Sequence, residues 1–427
     1  MPRHKNVNEL PTKPSMLRVF ASWRLAAVLL MGFSSGLPLA LTGTTLQAWM
    51  ASEKIDLTVI GFFTAVTLPY TLKFLWSPLM DRFLPPFLGR RRGWILISQV
   101  ALVGGLIGMA VSSVSASPWG MAALAMLVAF FGASQDIVID AYRTEVLRGD
   151  ELGPGAGLSI MGYRVGMICS GALALILADR MPWQSVYLLM AAGMSVGIVT
   201  AFLAPEPPVD ARPPRTLTQA AVLPLKEFLL RRGAVEMLLF IFLYKLDAFM
   251  VGNMMTPFML GAGFSMTDIG VVTKGVGIAA AIAGAAIGGA FITRLGIHRS
   301  LWIFGLLQGL AGLSFTALAL LGHNYPMMVT AIVAENVCSG MAIAAFTGFL
   351  MSLCDKRFTA TQYALLTSLM ALGARVVGTP SGWLVKQVGW PAYFVIATLI
   401  AIPGLLLLLR YKTWQREPVQ ETAGASA

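Results

Sequence analysis

Apolar runs of about twenty residues, each closed by a short polar or Gly- and Pro-containing break, recur along nearly the whole chain. A run of that length crosses the ~30 Å hydrocarbon core at ~1.5 Å per residue, so each predicts a membrane-spanning helix. Six fall at about residues 25–50, 59–80, 94–114, 119–142, 155–178 and 185–204. The pattern then breaks over residues 205–234, from Pro205-Glu206-Pro207-Pro208 to Arg231-Arg232, where 217–230 predicts a short amphipathic helix on the membrane surface. Six more spans follow at about 235–260, 268–292, 301–321, 326–350, 361–385 and 391–409. The expected class is an all-α polytopic membrane protein of twelve helices, divided as 1–204, a linker at 205–234, and 235–427.

Composition agrees: the 427 residues are 57% hydrophobic and 12% charged, with mean hydropathy +0.74. The net charge of +11 is too sparse and too interrupted for a nucleic-acid surface and reads instead as topology. With the N-terminus inside, 23 of the 31 Lys and Arg residues fall on the cytoplasmic side and 3 (Lys54, Arg180, Lys386) outside. Both termini are therefore expected in the cytoplasm. The three cysteines lie in or beside spans and form no disulfide framework, and the three histidines are far apart, so neither metal nor cofactor is expected. The first apolar segment is too long for a signal-peptide core.

The two sets of six are internally similar. Ile60-Gly61-Phe62-Phe63-Thr64 is echoed by Ile269-Gly270-Val271-Val272-Thr273 at an offset of 209, and Arg164 with Ser170-Gly171 by Arg375 with Ser381-Gly382 at 211. Parallel six-span halves are the plan of the major facilitator transporters, in which spans 1, 4, 7 and 10 line a central cavity. Span 4 then carries the most costly residues of the chain. In Ser134-Gln135-Asp136-Ile137-Val138-Ile139-Asp140-Ala141 two carboxylates sit one turn apart on one helix face, beside Gln135. A charge at that depth costs ~2.5 kcal/mol or more unless it faces protein or water, which marks a functional site.

The loop between spans 2 and 3, Asp81-Arg82 through Gly89-Arg90-Arg91-Arg92, is a stretched form of the superfamily's Asp-Arg and Gly-Arg-Arg signature. Together with residues 33–50 (FSSGLPLALTGTTLQAWM), SQDIVIDA, Leu243-Tyr244-Lys245-Leu246-Asp247-Ala248-Phe249 and Ala360-Thr361-Gln362-Tyr363-Ala364-Leu365-Leu366, it makes residues 17–410 resemble the AmpG muropeptide permeases. The resemblance implies a Gram-negative inner-membrane importer of GlcNAc-1,6-anhydro-N-acetylmuramyl peptides, driven by the proton-motive force. One departure stands out: Lys245 and Asp247 are two apart rather than three, which on a continuous helix puts them on nearly opposite faces.

Within that frame, Asp136 is the first candidate to carry a proton, with Glu335 and Asp247 as rivals. Five intramembrane cations (Lys73, Arg164, Lys245, Lys274, Arg375) exceed the four deep acids by one, and a positive cavity selects anionic cargo. Those cations, with Gln135, Thr42, Thr45 and Gln47, are the candidate ligands for peptide carboxylates and sugar hydroxyls, arginine being suited to bidentate carboxylate recognition. For the hydroxyls, bonding to their own helix backbone is the competing reading. Asp81 with Arg82, Arg90, and Asp140 with Arg143 are the candidate gate. Trp49 is expected in the interfacial aromatic belt, and Gly104-x3-Gly108 and Gly284-x3-Gly288 at helix contacts.

An enzyme would need a nucleophile with a base or paired metal ligands, and a channel would need a filter; neither pattern is present. The competing transport reading is a related facilitator for another anionic solute, such as acetyl-CoA or a sugar phosphate. The expected partners are an anionic glycopeptide, protons and the bilayer, with a monomer as the expected unit and no nucleic acid.

Overall fold

A computed structural model describes residues 22–55, 59, 63–207, 214 and 216–414. Arg3, Lys5, Lys13, Arg18, Arg212, Arg215 and Arg416 of the charge count, and 60–62 of the repeat, lie outside them. Among the described residues, eight helices are individually long and apolar enough to cross a bilayer. With two turns inside the longest helices, and with spans 2 and 7 built from shorter pieces, the chain makes twelve passes. The helix Ile278–Leu321 turns at Gly296 (φ 76°), and Thr359–Leu399 turns at Gly389 (φ 76°), left-handed conformations that separate spans 8 from 9 and 11 from 12.

Spans 2 and 7 fall short as single helices because they are interrupted. Span 2 is a series of short pieces, Phe63–Thr67, Leu68–Leu72, Lys73–Leu75 and Ser77–Arg82. Pro69 and Pro78 sit in the first turn of the second and fourth pieces, where a missing N–H is harmless but continuation of the preceding helix is blocked. Span 7 breaks between Ala234–Leu243 and Leu246–Gly261. Span 1 breaks at Gly43, between Trp23–Thr42 and Thr44–Ser52, and span 5 widens to a π-turn at Cys169–Leu173. Each interruption frees backbone groups, which are tolerated at this depth only where neighbouring helices cover them.

Close helix contacts rest on glycine. A Cβ on Gly36 of span 1 would stand 2.1 Å from the Tyr163 carbonyl oxygen of span 5, and one on Gly284 of span 8 would stand 2.2 Å from that of Val337 in span 10. A Cβ on Gly288 would stand 2.7 Å from Met341 Cα, but Gly104 faces open space; in span 3 Gly108, against Leu124, and Gly105, against Val128, make the approach. Trp49 is a second departure from expectation. It is 1% exposed and stacks on Trp183 and Tyr187 of span 6, at ring separations of 6.0 and 5.0 Å, so it belongs to the core of the first half. The two turns after the Gly43 break carry it inward.

The halves meet at one end of the bundle, the end that bears the linker. There Gly157 of span 5 lies against the Ala285 carbonyl of span 8, and Gly153 against Ile292. Large apolar side chains such as Leu75, Val111, Leu320 and Leu409 stand 63–76% exposed on the outside of the bundle, forming a lipid-facing exterior. Gly36→Leu is expected to lower stability by ~1–3 kcal/mol through overpacking of spans 1 and 5, read as a fall in the thermal unfolding midpoint in detergent; an unchanged midpoint would show that this contact is not close-packed.

Candidate substrate cavity and gate

Span 4 is one unbroken helix, Pro118–Val146, with Ser117 accepting the Gly120 N–H at its start. Its regularity fixes Asp136, Asp140 and Arg143 at i, i+4 and i+7, hence on one face. That face borders a cavity of about 500 Å³ between the halves, closed on the other sides by Ser35 of span 1, Lys73 of span 2, Tyr163 and Arg164 of span 5, Thr347 of span 10 and Tyr363 of span 11. The Lys73 ammonium lies 3.9 Å from Asp136 and 3.7 Å from Asp140, shared between them rather than committed to either. Ser35 donates its hydroxyl hydrogen to Asp136. Arg143 is the most connected group. It pairs with Asp140 at 2.9 Å, donates to Ser159 Oγ at 2.7 Å, and donates to the Tyr363 hydroxyl while lying 5.1 Å from the centre of that ring. Through Tyr363 it ties the first half to the second. Arg164 makes no hydrogen bond or ion pair among the described residues, so three cavity cations face two carboxylates and one positive charge is left over.

Below this cavity, toward the linker, the bundle is shut by a buried network. Arg91, fully buried, pairs with Asp81 at 2.8 Å and with Glu145 at 2.5 Å, and Arg90 pairs with Glu145 at 2.8 Å. Asp81 also accepts hydrogen bonds from the backbone N–H groups of Ala360 (3.3 Å) and Thr361 (2.8 Å) and from the Thr361 hydroxyl (2.8 Å). A carboxylate there satisfies the open N–H groups of the first turn of span 11 and complements its dipole. Arg90 adds a bond to the Lys356 carbonyl across the same seam, 3.0 Å long. Glu206 accepts from the N–H groups of Arg91 and Arg92 and so caps span 3.

These positions divide the sequence-derived candidates. Asp136, Asp140, Lys73, Arg143 and Arg164 come together around the cavity, and Asp81 and Arg90 at its shut end. Arg82 does not join the latch: its guanidinium lies over the Phe83 ring at 5.4 Å, and the partner of Asp81 is Arg91. Thr42 donates to the Pro38 carbonyl of its own helix and Thr45 to the Ser170 carbonyl exposed by the π-turn, so both act as backbone glue. Gln47 lies past the Gly43 break, away from the cavity lining, and Gln135 is buried within the first half with neither amide atom partnered. Lys274 is exposed within a π-turn of span 8. Arg375 donates to Thr71 Oγ1 of span 2 at 2.9 Å, a further tie between the halves outside the cavity.

Lys245, Asp247 and Glu335 form a separate buried group in the second half, where Glu335 accepts from Gln308 at 2.6 Å. Because span 7 breaks at Tyr244–Lys245, the helical argument for opposite faces does not apply there, and Lys245 and Asp247 act on each other electrostatically without a direct ion pair. Arg91, Glu145, Ser159, Tyr163, Thr347 and Tyr363 were not singled out from sequence. Tyr363 and Thr361 lie in the quoted ATQYALL motif and Arg91 in the arginine cluster, which are the signals that pointed to them.

A twelve-pass bundle around a charged cavity, shut at one end by a buried ionic network whose members hydrogen-bond across to the other half, defines a membrane transporter and not an enzyme. Residues 28–378 match the Major Facilitator Superfamily, to which the chain belongs. It is 48% identical over 395 residues to the anhydromuropeptide permease of Escherichia coli (strain K12), covering 92% of this chain and 80% of that one. It is 30% identical over 403 residues to putative transporter AmpG 4 of Rickettsia felis, covering 92% and 97%. Within the superfamily it is thus a member of the AmpG muropeptide permease family. Among solved structures, the proton:xylose symporter XylE bound to 6-bromo-6-deoxy-D-glucose matches with a TM-score of 0.68 at 12% identity, over 94% of this chain and 96% of that one. FucP in the outward conformation also matches with a TM-score of 0.68 at 12% identity, over 92% and 99%. These two likenesses concern the fold alone.

Asp81→Asn removes the charge opposite Arg91 and weakens the cap on span 11. Breaking a buried pair costs ~3 kcal/mol or more, so the shut end should open. A cysteine at Thr347, in a background without the native cysteines, is expected to react at least about tenfold faster with an impermeant maleimide applied from the linker end. Equal rates would show that the Asp81 network does not hold the seam.

Proposed function

We propose that this chain imports anhydromuropeptides, GlcNAc-1,6-anhydroMurNAc peptides, across the bacterial inner membrane by proton-driven alternating access. The observation that carries the reading is the cavity's surplus cation, Arg164, in a chain 48% identical to an anhydromuropeptide permease. The cargo supplies peptide carboxylates, which a guanidinium binds in two parallel hydrogen bonds, and sugar hydroxyls, which match the hydroxyls of Ser35 and Tyr163. The excess of Lys and Arg at the linker end supports placing that end and both termini in the cytoplasm. The shut seam is then the cytoplasmic gate, and the cavity awaits cargo from the periplasm.

Coupling follows from sharing one ammonium between two acids. Protonation of Asp136 removes its claim on Lys73, which then moves toward Asp140. Asp140 in turn holds Arg143 less strongly, and Arg143 is the group that binds Tyr363 across the seam. Proton and cargo together therefore weaken the contacts that keep the cytoplasmic end shut: the proton loosens the Lys73–Asp140–Arg143 chain, and a cargo carboxylate pairs the otherwise unmatched Arg164. Release inside restores the network. In this scheme residues 1–204 rock against 235–427 about the cavity.

The test is uptake of labelled GlcNAc-anhydroMurNAc-tripeptide into proteoliposomes under an inward proton gradient. Accumulation above equilibrium, collapsed by a protonophore and unaffected by excess acetyl-CoA, is the expected result. No uptake of the glycopeptide, or competition by acetyl-CoA in its place, would assign the cavity to another anionic solute.

A further inference from the structure

The linker helix Leu217–Leu229 has three faces. Ala220, Pro224 and Phe228, at i, i+4 and i+8, are buried against the bundle. Val222, Leu225 and Leu229, at i, i+3 and i+7, form a second face and are 47–55% exposed, while Gln219 and Lys226 lie between that face and the protein on the other side. The buried face rests on both partners of the gate. It packs on the Ser77–Arg82 turn that carries Asp81, and on the start of span 11 that Asp81 caps. The bonds at its ends are specific: Gln362 of span 11 donates to the Pro224 carbonyl, Arg357 pairs with Glu227 at 2.9 Å, and Arg231 donates to the Leu353 carbonyl at 2.5 Å. The helix therefore lies across the seam between the halves, at the point where they are latched.

Exposed apolar side chains also stand on the elements that the helix packs against. Leu79 of span 2 and Val235 and Leu239 of span 7, on the elements it packs against, are 38–75% exposed and belong to the lipid-facing exterior. Lys226, Arg231 and Arg232 supply basic charge along and just beyond the helix. An amphipathic helix with this division, with basic residues along it and packed on lipid-exposed elements, is suited to the boundary between headgroups and acyl chains of an anionic bilayer.

The geometry points to the linker helix as a lipid-seated strap: its Val222–Leu225–Leu229 face lies in an anionic membrane surface, and that seating braces the shut gate beneath it. Opening the seam must part the span-2 turn from span 11, and the helix cannot follow both. Lipid that holds the helix in place therefore holds the gate shut, and the anionic lipid content of the membrane sets how often it opens. This inference rests on the gate reading above but not on the cargo, so its test uses none.

With Cys169, Cys338 and Cys354 replaced by serine, a nitroxide is placed at Val222→Cys or Lys226→Cys, and the full-length protein is reconstituted in phosphatidylcholine with or without one-third phosphatidylglycerol. Power saturation is expected to report oxygen contact and little contact with a water-soluble nickel chelate at 222, and the reverse at 226. Separately, a pair of labels at Arg82→Cys and Lys356→Cys, one on each side of the seam, is read by pulsed dipolar spectroscopy. Removing phosphatidylglycerol, or introducing Val222→Gln with Leu225→Gln and Leu229→Gln, is expected to raise the fraction of longer distances at least twofold. Nickel contact at 222 equal to that at 226 overturns the seating. Oxygen contact at 222 with no change in the distance distribution overturns the bracing. Arg91→Leu serves as the control that the label pair detects an opened seam; a longer distance there with no effect of lipid leaves the gate reading standing and removes the strap.

Discussion

Charge buried in a low-dielectric medium has to be matched within the protein, and the structure depends on how Arg143, Lys73, Asp136 and Asp140 match one another. Each alone would cost several kcal/mol at bilayer depth. Together they share partners: one ammonium serves two carboxylates, and one guanidinium serves a carboxylate and two hydroxyls on three different spans. Shared partners make the network sensitive to a single proton. They also make it mechanical, because one of the hydroxyls, on Tyr363, belongs to the opposite half.

The second network, around Arg91, has the opposite character. Arg91 is fully buried with two carboxylates at hydrogen-bonding distance, and Asp81 is further bound by the first turn of span 11. The effect of the network is to make the position of span 11 depend on an ion pair wholly within the first half, so directional bonds add to the apolar contact of spans 5 and 8 in joining the halves. The glycine contacts of spans 5 and 8 bring the backbones close enough for those bonds to form. The halves are alike in backbone and unlike in chemistry. Most of the cavity charge lies on spans 2, 4 and 5, while the second half contributes Tyr363, Thr347 and apolar wall, and keeps its own acids enclosed.

Much of this was legible in the sequence, for identifiable reasons. Span number and order follow from run length and from the cost of unpaired backbone in lipid, which admits little but helices. The Asp136–Asp140–Arg143 face was legible because span 4 is regular, so spacing converts directly into direction. Where helices are irregular the conversion fails. Thr45 and Gln47 were placed on one continuous helix, but the break at Gly43 and the π-turn at Cys169–Leu173 turn them to a backbone partner or away from the cavity, while Thr42 bonds the i−4 carbonyl of its own helix. The same holds for Lys245 and Asp247 at the break in span 7. Arg91 rather than Arg82 as the partner of Asp81, and Glu145 as the third member, are decided by which side chains the tertiary packing buries, which adjacency in sequence does not encode. Trp49 was misplaced for the same reason: its depth was inferred from its position in a span, and its surroundings come from span 6.

The central claim is that the proton acts through Asp136 on a network that also holds the gate. The most direct test compares wild type with Asp136→Asn in two assays on the same proteoliposomes: accumulation of labelled anhydromuropeptide under an inward proton gradient, and exchange of labelled for unlabelled cargo without a gradient. The account predicts that the variant keeps exchange and loses accumulation, since a neutral side chain reproduces the protonated state but cannot cycle. Accumulation by the variant at the wild-type level would contradict it and move the coupling proton to the enclosed acids of the second half.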